Sequence, residues 1–557
     1  MWFGGGTGTG LPLLRPRDSL LVHHGKGTQI WTDRDHPPGQ LRVARHGPRR
    51  IAVFGPCGAT EEQLSRLVSR LASHPVPDDV AWCWPGSYTV VLLEPGRTTV
   101  WTNLGWAWPL YTTVRDDMTL WSSSALLLAS LQGMRPNTEQ MRDRLLGPHA
   151  SEADDTRSYF YGVRRVPPGH RITVHANGGV EEHPVWHPEP PDHELSRILR
   201  AELEGSVATR VATDAPMSAD LSGGFDSTAL ALIAGRRLRD LGRDVLAATT
   251  HPAGVETGGD LDFAREAGRA PGVHHVWLPM GPGDAPYQRM DSLPATDEPP
   301  PSAVSHAYLT GQLDRMRDMG RRLHITGDGG DGLLLTRPAH LLDLLRYGGL
   351  RRALPELALW AHVRRTSWWG VLQSARPTFK GTTPATRFPG LTRNQRETMD
   401  ALLIAGRTAR ADCRLARVHG VDLHNPYFDS RLVHLMSSVP PDRLPGPARY
   451  KPLMAEAMAD VFPPVLAART TKGDACPDHY GGLRRALTEL ERLLDGHLAG
   501  LGLLDPDRFR GTLHATAAGL RPGLYPVEAA VSLEAWLRAL TRHRPVPWVR
   551  EVERGRV

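Results

Sequence analysis

Cysteine is scarce in this chain: Cys57, Cys83, Cys413 and Cys476 are scattered over 557 residues, with no CxxC pair. That spacing argues against a zinc ribbon or a disulfide framework and fits a reducing, cytoplasmic compartment. Long apolar runs are missing too. Stretches such as Ala125–Ala129 are far too short for a bilayer, and no basic segment followed by an apolar one opens the chain. Neither a membrane span nor a secretion signal is therefore expected. Lysine is scarce as well: of 66 Lys plus Arg, the lysines are Lys26, Lys380, Lys451 and Lys472. A chain that uses arginine for general positive charge points to its few ammonium groups as ones a guanidinium does not replace. Nucleic-acid binding is not expected either. The isoelectric point is about 9.3, but the net charge of +6 is small and the bases are interleaved with 60 acids.

What is present implies a globular protein of two or more domains. Residues 1–20 are rich in Gly and Pro without periodicity. Gly4 to Gly10 lacks the preceding strand and the lysine of a phosphate loop, so a flexible terminus is expected. From about residue 21 to 190 the pattern is mostly β. Leu41–Val43, Ile51–Phe54, Tyr88–Leu93, Thr98–Trp101 and Ile172–Val174 are short β-rich runs between Gly, Pro and Asp turns, with an amphipathic helix at Glu61–Ala72. His187-Pro188-Glu189-Pro190-Pro191 marks a domain boundary, giving domains 1–190 and 191–557.

The second domain opens with a helix at Leu195–Val211. Then comes Ala219-Asp220-Leu221-Ser222-Gly223-Gly224-Phe225-Asp226-Ser227, a short strand, two glycines and a helix start. Such a turn presents unpaired N–H groups to an anion, two hydroxyls donate, and Asp226 can hold magnesium. The alternative is an ordinary strand-to-helix turn. Beyond it, strands at Val245–Thr250, His274–Leu278 and Arg322–Thr326 alternate with helices at Leu261–Gly268 and Ser302–Met319. That alternation predicts a doubly wound parallel sheet, with ligands outside the strands' carboxyl ends. Gly327-Asp328-Gly329-Gly330-Asp331-Gly332 lies at such an end and offers a second magnesium ligand and a base. Residues 340–420 read as helical with a less regular Ser374–Gly390. Lys451–Met458 reads as a further helix, and Arg469–Asp474 as a polar loop.

These segments carry a resemblance. Ser222-Gly-Gly-Phe-Asp-Ser227 resembles the pyrophosphate loop of the asparagine-synthetase-like ATP-pyrophosphatase superfamily, and Thr326-Gly-Asp-Gly-Gly-Asp331 its second, magnesium-bearing loop. Asn425-Pro-Tyr-Phe-Asp429, Tyr450-Lys-Pro-Leu-Met454 and Ala468-Arg-Thr-Thr-Lys472 are similar to its later motifs. Gly86-Ser-Tyr-Thr-Val90 and Gly162-Val-Arg-Arg-Val-Pro-Pro-Gly169 resemble its N-terminal glutaminase-type domain. The family's asparagine synthetases need a cysteine as first mature residue. This chain begins Met1-Trp2 and carries Gly332 where synthetases have Glu. The pattern looks most like the lasso peptide cyclases, with β-lactam synthetases, small-molecule amide synthetases and a non-catalytic scaffold as alternatives.

The resemblance implies an α/β architecture. Its parts are an Ntn-type β-sandwich without its nucleophile and an ATP-pyrophosphatase domain with a helical C-terminal part. The activity it implies is AMP-forming ligation: ATP adenylates an Asp or Glu side chain of a leader-free precursor peptide, and the peptide's N-terminal amine closes the ring. ATP and pyrophosphate would lie on Leu221, Ser222, Gly223, Gly224, Asp226 and Ser227, flanked by Thr250, Thr326 and Gly327. Mg2+ would bridge Asp226 and Asp331. Lys472 would meet phosphate and the acyl transition state, Lys451 would assist, and Asp328 would orient or deprotonate the amine. Asp429 would buttress the fold. A separate leader-binding protein and a leader protease are the implied partners.

Overall fold

The computed structural model describes all residues except 9–13, 26, 38, 72–73, 117, 148–155, 193, 376–387, 389, 448, 471–475, 494, 521–522 and 551–557. Two six-stranded antiparallel sheets fill the N-terminal part. One is largely a meander of Leu41–His46, Arg49–Phe54, Thr89–Glu94 and Arg97–Trp101, closed by His170–His175 and Val180–Pro184. The other places Phe3–Thr7 between Met118–Ser122 and Thr28–Asp33. Phe3, Ile30 and Trp121 of one sheet share a buried cluster with Phe54, Val91, Val100 and Ile172 of the other. Their inner faces therefore pack as a sandwich.

The first of these strands corrects the sequence reading of residues 1–20. Phe3–Thr7 is a fully buried central strand, not a flexible terminus. Its glycines make room for tryptophan: a Cβ on Gly4 would strike the Trp31 ring, and one on Gly5 would lie 2.6 Å from the Trp121 ring.

The C-terminal part is built on five parallel strands: β1 (Met217–Asp220), β2 (Val245–Pro252), β3 (Val273–Met280), β4 (Leu323–Ile325) and β5 (Asp422–His424). Their spatial order is β3-β2-β1-β4-β5. Both faces are covered, and β2 shows it residue by residue. Val245 and Ala247 join the cluster that holds Leu230 and Ile233 of α1 (Phe225–Arg239), whereas Leu246 and Ala248 pack with Met316 on the other face. That is the arrangement expected of a doubly wound sheet. The strand order reverses between β1 and β4, so the crevice between their carboxyl ends is the place a ligand would enter. The expected helix Ser302–Met319 is shorter, a 3-10 turn at Pro301–Ser305 followed by an α-helix at His306–Asp318. Most of the irregular Ser374–Gly390 lies outside the described residues. Among the described residues, no helix is long and apolar enough to cross a membrane.

Candidate active site

Two loops meet at the β1/β4 switch point. The first runs from β1 to α1. Its start is pinned to β2: Leu221 N–H donates to the Ala248 carbonyl at 2.8 Å, and the Thr249 hydroxyl donates to the Leu221 carbonyl at 2.5 Å. Gly223 has φ of +82°, and a Cβ on it would collide with the Asp260 carbonyl oxygen. Both the conformation and the space therefore demand glycine. The Ser222 and Ser227 hydroxyls lie 2.8 Å apart, folding the loop back on the helix's first turn. Gly224 stands at the N-cap of α1 and makes no side-chain cap to its first amides. The first-turn amides of α1, two hydroxyls and the helix dipole together suit an anion such as a polyphosphate.

The second loop runs from β4 to α2 (Gly330–Leu334). A Cβ on Gly330 would overlap the Asp226 carboxylate, so the loops are packed without a gap. Lys451 joins them. Its ammonium forms ion pairs with Asp226 and, at 2.7 Å, with Asp331. The lysine side chain is 0% exposed, against 12% for Asp226 and 43% for Asp331. The Tyr427 hydroxyl donates to the Asp226 carbonyl at 3.0 Å, fixing the first turn of α1 from below.

Among the described residues, no group of three or more His, Cys, Asp or Glu forms a metal site. Two carboxylates from facing loops are nevertheless a donor set that fits magnesium, which takes one or two protein carboxylates and completes its shell with phosphate oxygens and water. Asp328 lies at the rim of the same crevice, with its carboxyl set against Asn425. The protein packed around it, with the Asp220 charge adding, pushes its carboxyl up to about 6. Asn425 spans the second loop, donating to the Thr326 hydroxyl at 2.7 Å and reaching Asp328 at 3.5 Å.

The sequence profile of the asparagine synthase family matches residues 198–538, the stretch that contains the parallel sheet and both loops. The chain belongs to the asparagine synthase family. A domain of this family implies ATP-dependent amide-bond formation. Among curated relatives, amidase chry2 of Gibberella zeae and amidase chyE of Penicillium rubens are each 35% identical over 86 residues. The matched stretch is 14% of this chain and 13% of each relative's length. Two solved structures show a weak likeness. One is an allosteric regulatory enzyme of purine biosynthesis (13% identity, TM-score 0.21), covering 49% of this chain and 74% of that one. The other is the B. subtilis glutamine phosphoribosylpyrophosphate amidotransferase complexed with ADP and GMP (12%, TM-score 0.19), covering 49% and 75%. Likenesses at these scores do not define the fold.

Of the residues expected from sequence, Ser222, Gly223, Gly224, Asp226, Ser227, Asp331 and Lys451 converge in this asparagine synthase domain. Leu221, Thr326, Gly327 and Asp328 border them. Thr250 sits on β2 and bonds the Tyr308 hydroxyl. Lys472 lies outside the described residues. One expectation is corrected: Lys451 is not helical. It precedes a helix at Pro452–Ala457 and has left-handed backbone angles, φ 43° and ψ 58°.

Sequence reasoning missed Arg469. Its guanidinium is buried, donates to the Gly223 carbonyl at 2.6 Å and pairs with Asp260. It thereby clamps the phosphate-type loop from outside. Its only sequence signal was its place three residues before Lys472. Also missed was the network beneath the crevice, where Asp220 accepts from Gln312 at 2.6 Å and lies 3.0 Å from His324.

Proposed function

We propose that this chain activates a peptide carboxylate by adenylation and closes it onto the peptide's own N-terminal amine, as a lasso peptide cyclase does. The observation that carries the reading is the convergence of Asp226 and Asp331, from the first turns of the helices that follow β1 and β4, on one buried ammonium. Adenylation turns a poor acyl donor into a good one, provided that charge building on the leaving pyrophosphate is neutralised. The Ser222 and Ser227 hydroxyls and the first amides of α1 would hold that pyrophosphate. Asp226 and Asp331 would hold magnesium, which when bound would add the charge neutralisation a divalent ion supplies. Lys472 would contact phosphate and the acyl transition state.

Asp328 would accept the proton of the attacking amine. A carboxyl lifted to about 6 is better matched to that task near neutral pH than an ordinary one. An internal amine is favoured as the nitrogen source by the state of the described cysteines. Burial pushes the thiols of Cys57, Cys83 and Cys413 up to about 12, far from the thiolate a glutaminase needs. In this reading residues 1–190 are an Ntn-type glutaminase-like domain without its nucleophile and residues 191–557 the cyclase domain. The substrate is a leader-free core peptide delivered by a leader-binding protein and a leader protease in the cytoplasm.

The test is incubation with Mg·ATP and the core peptide encoded beside the gene, followed by mass spectrometry. Loss of one water from the peptide with matching AMP release is expected. AMP release with other carboxylates and no dehydrated peptide would point to a small-molecule amide or β-lactam synthetase. No AMP with any substrate would leave a binding scaffold.

A further inference from the structure

We propose that Lys451 is a tethered stand-in for the divalent cation, so that free metal is kept out and the metal enters only with its nucleotide. The inference rests on the magnesium-nucleotide reading above and concerns the order in which that site fills. Two carboxylates, each in the first turn of a helix that follows a sheet strand, converge on one ammonium, and like charges brought together repel. The charge between them is the Lys451 ammonium, entirely buried and paired with both Asp226 and Asp331. It therefore supplies to those two carboxylates the positive charge that a bound divalent cation would supply.

Residue choice supports the same role. This chain spends lysine four times among 66 basic residues, and one of the four is here. An ammonium is a compact point charge, as a metal ion is, whereas a guanidinium is a larger, planar fork.

The backbone supports it too. Lys451 is a non-glycine residue at φ 43°, immediately before Pro452, and that conformation persists only where the surroundings over-determine it. The Lys451 carbonyl accepts from the Ala455 N–H at 3.1 Å, so helix Pro452–Ala457 fixes the point from which the side chain starts. Tyr450 packs on Phe225 of α1, with ring centroids 5.1 Å apart, and holds the segment from the other side. An ammonium delivered this way is set in place by the fold before any ligand arrives. Phosphate oxygens would then tip the balance, because they give the incoming metal ligands and give the displaced ammonium a new partner.

The test uses the full-length protein and Mn2+, followed by electron paramagnetic resonance, with and without α,β-methylene-ATP. The wild type should bind Mn2+ weakly alone and at least about tenfold more tightly with the analogue. Lys451→Met, which keeps the length and apolar stem, should bind Mn2+ without nucleotide at least about tenfold more tightly than the wild type. Equal Mn2+ affinity of the wild type with and without the analogue would overturn the inference, as would a Lys451→Met protein with wild-type affinity. If that variant does not fold, Lys451→Gln, which also removes the charge, takes its place in the same titrations with the same expected and overturning results. A wild type that fails to bind the analogue in the presence of Mn2+ would overturn the nucleotide reading itself, and this inference with it.

Discussion

An ideal Cβ on Gly327 would lie 2.7 Å from the backbone nitrogen of Ser227. The second loop thus rests directly on the first turn of α1, and the obstructing atom is main chain, which cannot swing aside. Gly327→Ala would meet no φ penalty, since its φ is not among the positive ones, so its effect would be steric alone. The expected cost is about 1–3 kcal/mol of stability. AMP release should fall about a hundredfold, as for a misplacement of roughly 1 Å in a reacting site. Urea unfolding and chromatographic AMP assay check the two effects separately. Wild-type AMP release would show that the loops do not need this contact.

Asp331 and Asp226 should respond differently to loss of charge. Asp331 is 43% exposed and its loss leaves the buried Lys451 still paired with Asp226, so Asp331→Asn should lower the melting temperature less than Asp226→Asn does. The Asp331 variant should raise the magnesium concentration for half-maximal AMP formation about 10–100-fold. Asp226 is 12% exposed and paired with a buried lysine, so Asp226→Asn should lower both stability and activity. Magnesium titrations and thermal melts of the two variants distinguish these outcomes.

Asp328 sets a pH dependence. Its carboxyl is raised to about 6, against about 3.9 in an unfolded chain. Between those values the folded state holds a proton that the unfolded state has released. This group's contribution to stability is therefore full below the lower value and is lost as pH rises through the higher. If Asp328 takes the amine's proton, turnover should rise with pH through about 6. Asp328→Asn should lower turnover, remove that limb and flatten the stability slope in the same window. A limb that survives unchanged in the variant would assign it to another group.

Much of this organisation is legible in residue order. The loop Ser222–Ser227 is read from a strand, two glycines and a helix start because each step has a local physical cause. Helix Leu195–Val211 falls where its apolar pattern places it. The strand Phe3–Thr7 is illegible for the opposite reason. Three glycines carry no hydrophobic pattern, and what makes them a strand is Trp31 and Trp121 packing on them from distant strands. The left-handed turn at Lys451 does have a local signal, since Pro452 disfavours helical angles at the residue before it, but the apolar spacing of 453, 454, 457 and 458 masks it. The clamp by Arg469 joins residues more than two hundred positions apart and leaves no trace in spacing.

Asp429 shows what holds the crevice from behind. Its carboxylate accepts two bonds from Arg210, at 2.7 and 2.8 Å, one from Ser87 at 2.6 Å and one from Ser206 at 2.5 Å, with both charged side chains 1% exposed. It ties a loop of the N-terminal sandwich to helix Leu195–Val211 and to the turn that carries Tyr427 under Asp226. Asp429→Ala would strand the Arg210 guanidinium in the interior, at a cost of about 3–5 kcal/mol. Replacing both partners by apolar residues, Arg210→Met with Asp429→Leu, should recover most of that loss, because no charge is then left buried. Urea unfolding of the single and double variants measures the difference. AMP release per folded molecule should stay close to wild type in the double variant, since Asp429 reaches the reacting groups only through the fold. A double variant as stable as the wild type but without activity would show that Asp429 does more than brace the crevice.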